Sequence, residues 1–197
     1  MNLASSVPEL EWERMWAPYD EQTYSAVLAA IASQDVVLEI GAGDFRLARR
    51  LAEKAKKVYA IEINKNLVAG LNSKLPANCQ LITGDARQFP FPKDINVAVL
   101  LMRHCTSFAQ YWSKLATTAC ERLITNARWG LGVEIIHLNE ARLSFDKISM
   151  GWYACRCGDS GFVTGSPERI TQQVLDRVWE VAGCPACQSR NQVPVLQ

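Results

Sequence analysis

The chain has 197 residues, 49% of them apolar, which suits one domain of ordinary size with a real core and room for a small appendage. Its 21 lysines and arginines against 20 acids leave a net charge of +1, which excludes a global electrostatic pull toward nucleic acid or membranes. No stretch reaches the ~20 apolar residues of a membrane span, and "MNLASSVPELEWERMW" carries acids where a secretory signal needs a basic start, so the expected address is the cytoplasm. Seven cysteines in that compartment are expected to be reduced thiols or metal ligands.

In chain order, an aromatic segment (Trp12, Trp16, Tyr19, Tyr24) leads into an entry helix that Asp20 can cap, with Tyr24, Val27, Leu28 and Ile31 as its apolar face. From Asp35, short apolar runs alternate with amphipathic stretches: "DVVLEI", "FRLARRLAEKA", "KVYAIEI", "KNLVAGLNSKL", "CQLIT", "INVAVLLM", "SFAQYWSKLATTAC" and "RLITNA". Runs such as 96–102 are apolar at nearly every position, as in strands covered by helices on both faces. The expected fold class is therefore α/β, a doubly wound, mostly parallel sheet. "GVEIIHL" follows too closely for a parallel crossover and is expected to form a hairpin around Trp129-Gly130.

Ligands of such sheets bind at the carboxyl ends of the strands. "LEIGAGDF" ends the first strand, where Gly41 and Gly43 allow unusual backbone angles and close approach of a ligand. The dinucleotide pattern GxGxxG is broken by Arg46, and no phosphate-binding GxxxxGK loop occurs. Glu39 would repel a phosphate and suits a cationic ligand. S-adenosylmethionine fits each part, with sulfonium and ammonium groups, no phosphate, a ribose for Glu62 and an adenine amino group for Asp85.

"VVLEIGAGDFRLARRLAEKAKKVYAIEINKNLVAGL" resembles the cofactor half of class I methyltransferases, with a Rossmann-like methyltransferase fold, and its wording is similar to the rRNA adenine dimethylases over residues 20–127. The resemblance implies that Glu39, Gly41 and Gly43 hold the methionine end, Glu62 the ribose and Asp85 the adenine. Two departures stand out. Phe45 occupies the place of the third glycine, where it either fills space behind the loop or narrows the site. The fourth strand ends in "LLMRHCTSF" rather than an Asn-Leu-Pro-aromatic motif, so adenine N6 methylation lacks its expected residues.

At that exit Met102 is expected against the cofactor. His104 is chemically suited to act as a base near neutral pH, and Arg103 to anchor an acidic substrate; packing at a helix start is the plain alternative. Cys105 as a nucleophile lacks the flanking proline of cytosine C5 enzymes. Cys79, Cys105 and Cys120 read as packing residues, and His137 as a hydrogen-bonded structural one.

The chain divides by this reading into residues 1–150, the cofactor-binding domain, and 151–197, a small zinc-binding module. In the second, Cys155 and Cys157 form CxCG and Cys184 and Cys187 form CPxC, two close pairs suited to one tetrahedral, structural Zn2+ in a pattern that resembles a zinc ribbon, with free thiols or a redox pair as the alternative. Between them, Ser166-Pro167-Glu168 reads as the start of a helix with Ile170, Val174, Val178 and Val181 on one stripe and Gly183 at its stop. The expected function is S-adenosylmethionine-dependent methyl transfer, with RNA as acceptor and Arg156, Arg169, Arg177 and Arg190 as phosphate contacts. A small-molecule acceptor under a lid of Trp12, Trp16, Tyr19 and Tyr24, or a zinc-stapled scaffold without turnover, are the alternatives.

Overall fold

A computed structural model of the chain describes residues 19–69, 75–103 and 105–187; Trp12, Trp16, His104 and Arg190 lie outside them. Helix α1 (Glu21–Ala29) starts where the sequence places it. The Asp20 carboxylate accepts a hydrogen bond from the Thr23 amide at 2.7 Å, supplying a partner for one of the donors that a helix start leaves open.

The main sheet is built from β1 (Val36–Ile40), β2 (Lys57–Glu62), β3 (Cys79–Thr83), β4 (Val97–Leu100), β5 (Arg122–Thr125) and β6 (Glu134–His137). Their order is β3-β2-β1-β4-β5-β6. The first five are parallel, and β6 runs antiparallel to β5, with Leu123 opposite Ile136, because the short connection permits nothing else. Helices α2 (Arg46–Lys54), α3 (Lys65–Val68) and α4 (Phe108–Leu115) lie in the β1–β2, β2–β3 and β4–β5 connections.

Side chains alternate across each strand, so burial on both faces requires apolar residues at every position. Leu38, Ile40, Ile61, Leu100 and Leu123 pack on one side with Phe108, Trp112 and Leu115 of α4. Val37, Val58, Val97, Val99 and Ile124 pack on the other with Tyr24 and Val27 of α1 and Leu47 and Leu51 of α2. At the amino edge, buried Asp35 ties three strands together through the Arg122 guanidinium (2.8 Å) and the Asn96 amide (2.8 Å).

A second sheet follows, β8-β7-β9, from β7 (Gly151–Cys155), β8 (Ser160–Val163) and β9 (Val178–Val181). Here the structure corrects the sequence reading, because residues 166–182 are not one helix. Pro167–Arg169 forms a single 3-10 turn, α5 (Gln172–Asp176) spans five residues under a Thr171 cap, and Val178–Val181 is a strand parallel to β7. Ser166 turns its hydroxyl to Glu168 instead of capping a backbone amide. The supposed stripe is not a buried face: Ile170 and Val178 are exposed, and only Val181 is fully buried. Val and Trp favour extended backbone, and β9 gains ladder partners in β7 that a local pattern cannot reveal.

The two sheets meet through specific contacts. Gly158 (φ +93°) lies against Phe108, and a Cβ there would come within 2.8 Å of the Phe108 Cβ. The Arg128 side chain, with no exposure, forks between Glu134 of β6 (2.7 Å) and Glu180 of β9 (3.0 Å), and the Arg142 guanidinium stacks 4.4 Å from the Trp112 ring.

Candidate functional site

The loop after β1 folds back onto β2. The Gly41 and Ala42 amides both donate to the Ile61 carbonyl (2.9 and 3.0 Å), and the Gly43 amide donates to the Glu62 carboxylate at 2.8 Å. Glu62 also accepts from the Asn64 amide at 2.7 Å, so one carboxylate at the end of β2 organises two turns. Gly41 has φ +78° and Gly43 φ +57°, conformations that glycine adopts without penalty. A Cβ on Gly41 would approach the Met102 methyl to 3.2 Å, which shows how closely the β4 exit presses on the loop.

Phe45 settles one alternative. It takes φ +65°, keeping the left-handed backbone a third glycine would give, at a cost of about 1–2 kcal/mol. Its fully buried ring packs with Ala42, Ala48 and Ala60, and that burial contributes about 2–3 kcal/mol, so packing outweighs strain. The ring fills space behind the loop.

Glu39 is 5% exposed, and its Oε2 has no hydrogen-bond partner. Burial pushes its carboxyl well above the usual carboxylate range, and the neighbouring Asp44 and Glu62 push it the same way. A buried carboxyl among acids, at the carboxyl edge of the sheet, is a receptor for a cation. Together with glycines that open the backbone, this donor set fits S-adenosylmethionine and disfavours a phosphate.

Asp85 stands two residues beyond β3, as expected, but is engaged. Its carboxylate takes both the Arg87 backbone amide (2.9 Å) and the Arg87 guanidinium (2.7 Å), whose hydrogen bonds hold its carboxyl below the usual range. Arg103 is exposed, with its guanidinium 5.2 Å from the Tyr19 ring centroid and its amide donating to the Tyr19 hydroxyl at 3.2 Å. Tyr19 therefore covers the β4 exit, while its expected companions Trp12 and Trp16, like His104, lie outside the described residues. Burial pushes the Cys105 thiol up, away from a reactive thiolate, and Cys105 packs on the core. The His137 side chain is exposed, and its backbone carbonyl accepts from Arg142 at 3.0 Å.

The four cysteines of the second sheet converge. Their sulfurs lie within 4.8 Å of one another, with Cys155 to Cys187 at 3.6 Å, Cys157 to Cys184 at 3.7 Å and Cys184 to Cys187 at 3.8 Å. Tetrahedral Zn–S bonds of about 2.3 Å place sulfurs about 3.8 Å apart, whereas a disulfide needs about 2.05 Å. The cluster has the dimensions of a metal site. Nearby, Arg169, Gln173, Arg177 and Trp179 line a pocket of about 170 Å³, with the Arg177 guanidinium stacked 3.4 Å from the Trp179 ring.

Sequence reading missed Asn126, Arg128 and Glu180. Arg128 and Glu180 pair across more than 50 positions (|i−j| = 52), a contact no spacing rule announces. Asn126, directly after β5, is 7% exposed with neither end of its carboxamide bonded. A polar residue closing an apolar strand at the ligand edge was its available signal.

The sheet order, the glycine loop and the acids at three strand ends define a Rossmann-like methyltransferase fold. The family model for ribosomal RNA adenine dimethylase matches residues 20–127, and the chain belongs to that family. It is 46% identical over 67 residues to a probable ribosomal RNA small subunit methyltransferase A of Methanosarcina mazei, an alignment covering 33% of this chain and 25% of the relative. It is 33% identical over 91 residues to an uncharacterized methyltransferase of Geobacillus kaustophilus, covering 42% of each. Among solved structures, the 23S rRNA methyltransferase ErmE matches 56% of this chain and 47% of its own, at 22% identity and a TM-score of 0.49. The chain spans about a quarter of the length of the curated rRNA methyltransferases of Methanosarcina that it matches.

Proposed function

We propose that this chain transfers a methyl group from S-adenosylmethionine to RNA. The observation that carries the reading is the pair of β-strand acids: Glu39, buried without a partner for Oε2, and Glu62, fastened to the glycine loop. Bound there, S-adenosylmethionine supplies an electrophilic methyl group on a sulfonium. Glu39 would take its ammonium group, whose positive charge would favour the ionised carboxylate. Glu62 keeps lone pairs for the ribose hydroxyls beyond those used by Gly43 and Asn64. Gly41 and Gly43 would let the cofactor approach the backbone, Met102 packs at the loop, and Asp85 would hold the adenine amino group in place of half-exposed Arg87.

Methyl transfer needs chiefly in-line positioning, with a base only where the acceptor must lose a proton. His104 takes that proton. Arg103 leaves its stack on Tyr19 to anchor the acceptor's phosphate. The four cysteines would hold Zn2+ through four thiolates, which would leave no position for water or substrate and make the metal structural. Family membership supports the RNA acceptor, and Arg169 and Arg177 offer phosphate contacts. A small-molecule acceptor is the second reading, favoured by Tyr19 over the β4 exit.

The test is incubation of the zinc-loaded protein with tritiated-methyl S-adenosylmethionine and small-subunit rRNA transcribed in vitro. The expected result is label in the RNA for wild type and its loss in Glu62→Ala. A wild type that binds the cofactor but labels no RNA would overturn the RNA acceptor.

A further inference from the structure

Four buried side-chain polar atoms lack a hydrogen-bond partner among the described residues: Glu39 Oε2, Asn126 Oδ1, Asn126 Nδ2 and Arg142 Nε. Arg142 uses its other nitrogens on the Leu138, Glu140 and His137 carbonyls, so only Glu39 and Asn126 hold a functional group turned to nothing. Both stand at the carboxyl edge of the parallel sheet. A carboxamide buried without a protein partner opposes folding unless water or a ligand supplies its hydrogen bonds.

The position is rigid. The Thr125 hydroxyl donates to the Leu100 carbonyl at 2.7 Å and accepts from the Ala127 amide at 3.0 Å, which clamps the chain on either side of Asn126. Strand order then says which ligand it serves. Asp85, Glu62 and Glu39 follow β3, β2 and β1, the proposed adenine, ribose and methionine positions. Asn126 follows β5, two strands past β1 on the side away from Glu62, about 10 Å at the usual strand spacing. That is beyond the methionine end, on the acceptor side of the β4 exit.

We infer that Asn126 binds the methyl acceptor. Its carboxamide sets a hydrogen-bond acceptor beside a donor and so suits an edge offering the reverse, as the amine edges of adenine and cytosine do. This rests on the RNA methyltransferase reading and deepens it by naming the class of base edge and the residue that meets it.

The experiment compares full-length, zinc-loaded wild type with Asn126→Leu, which keeps the volume and removes both polar atoms. Three quantities are read: thermal midpoint, S-adenosylmethionine affinity by calorimetry, and kcat/KM for methyl transfer to small-subunit rRNA transcribed in vitro. The expected result is an unchanged or raised midpoint, since no bond is lost, and cofactor affinity within about threefold of wild type. The expected fall in kcat/KM is about 30-fold or more. A lowered midpoint would make Asn126 structural, a cofactor affinity weakened about tenfold would make it a cofactor ligand, and an unchanged kcat/KM would remove it from the site. Each of these overturns the inference. A wild type that binds cofactor but labels no RNA sinks the RNA reading, and this assignment with it, before any variant is compared.

Discussion

The six-stranded sheet buries apolar side chains on both faces, Leu38 to Leu123 on one and Val37 to Ile124 on the other. The buried cluster of the three-stranded sheet is Ile148, Cys155, Val181 and Cys184, half of it cysteine. A core of the first kind fixes the strands to which the glycine loop is hydrogen-bonded, with no metal or other staple. One of the second kind cannot offset the entropy of ordering its chain without a staple. The ligand edge and the proposed metal thus sit in regions stabilised by different physics, joined by Arg128 and by the contact of Gly158 with Phe108.

That contrast can be broken most forcefully by removing metal. Structural zinc contributes on the order of 10 kcal/mol in small metallo-domains. A chelator, or Cys184→Ser, is therefore expected to abolish amide-exchange protection in β7 to β9 while β1 to β5 stay protected. Equal loss in both sheets would show one cooperative core. Next in size is Phe45→Ala, expected to cost about 4 kcal/mol in denaturant melts because the emptied pocket outweighs the backbone strain, which alanine retains. A loss below about 1 kcal/mol would show that the ring is not an anchor.

Glu180→Ala is expected to cost about 3 kcal/mol, because it leaves the buried Arg128 guanidinium with half its partners. If the join is local, β8 and β9 lose exchange protection first. The smallest effect is a pH slope. The folded Glu39 carboxyl titrates above its ordinary value of 4.5, so from about that pH upward the unfolded chain has released a proton that the folded one keeps. Stability is expected to fall as pH rises through that window, and Glu39→Gln to remove that part of the slope; equal slopes in both proteins would deny Glu39 its burial effect.

Much of the first region was legible in the sequence because its signals are local. Runs such as Val97 to Leu100 declare two-sided burial, and Asp20 and the Trp129-Gly130 turn declare a helix start and a hairpin. The cysteine pairs were legible for the same reason, since ligand spacing is written within a few residues. What lay between them was not. Val174, Val178 and Val181 fall at helical spacing, yet only Val174 lies in a helix, because Val178 to Val181 pair with the distant β7. The site was legible where chemistry sits in the glycine loop and in the acids that end strands. For Asn126 the sequence offers a polar residue closing an apolar strand, but the lack of a partner for its buried carboxamide exists only after folding.

Whether the edge formed by Glu39, Gly41, Gly43 and Glu62 holds S-adenosylmethionine is tested by calorimetry with that cofactor on wild type and Glu62→Ala. The expected result is one site per chain in wild type and an affinity at least about tenfold weaker in the variant, through loss of the ribose hydrogen bonds and of the Gly43 anchor. Absence of binding in wild type, or equal affinity in both proteins, would contradict it.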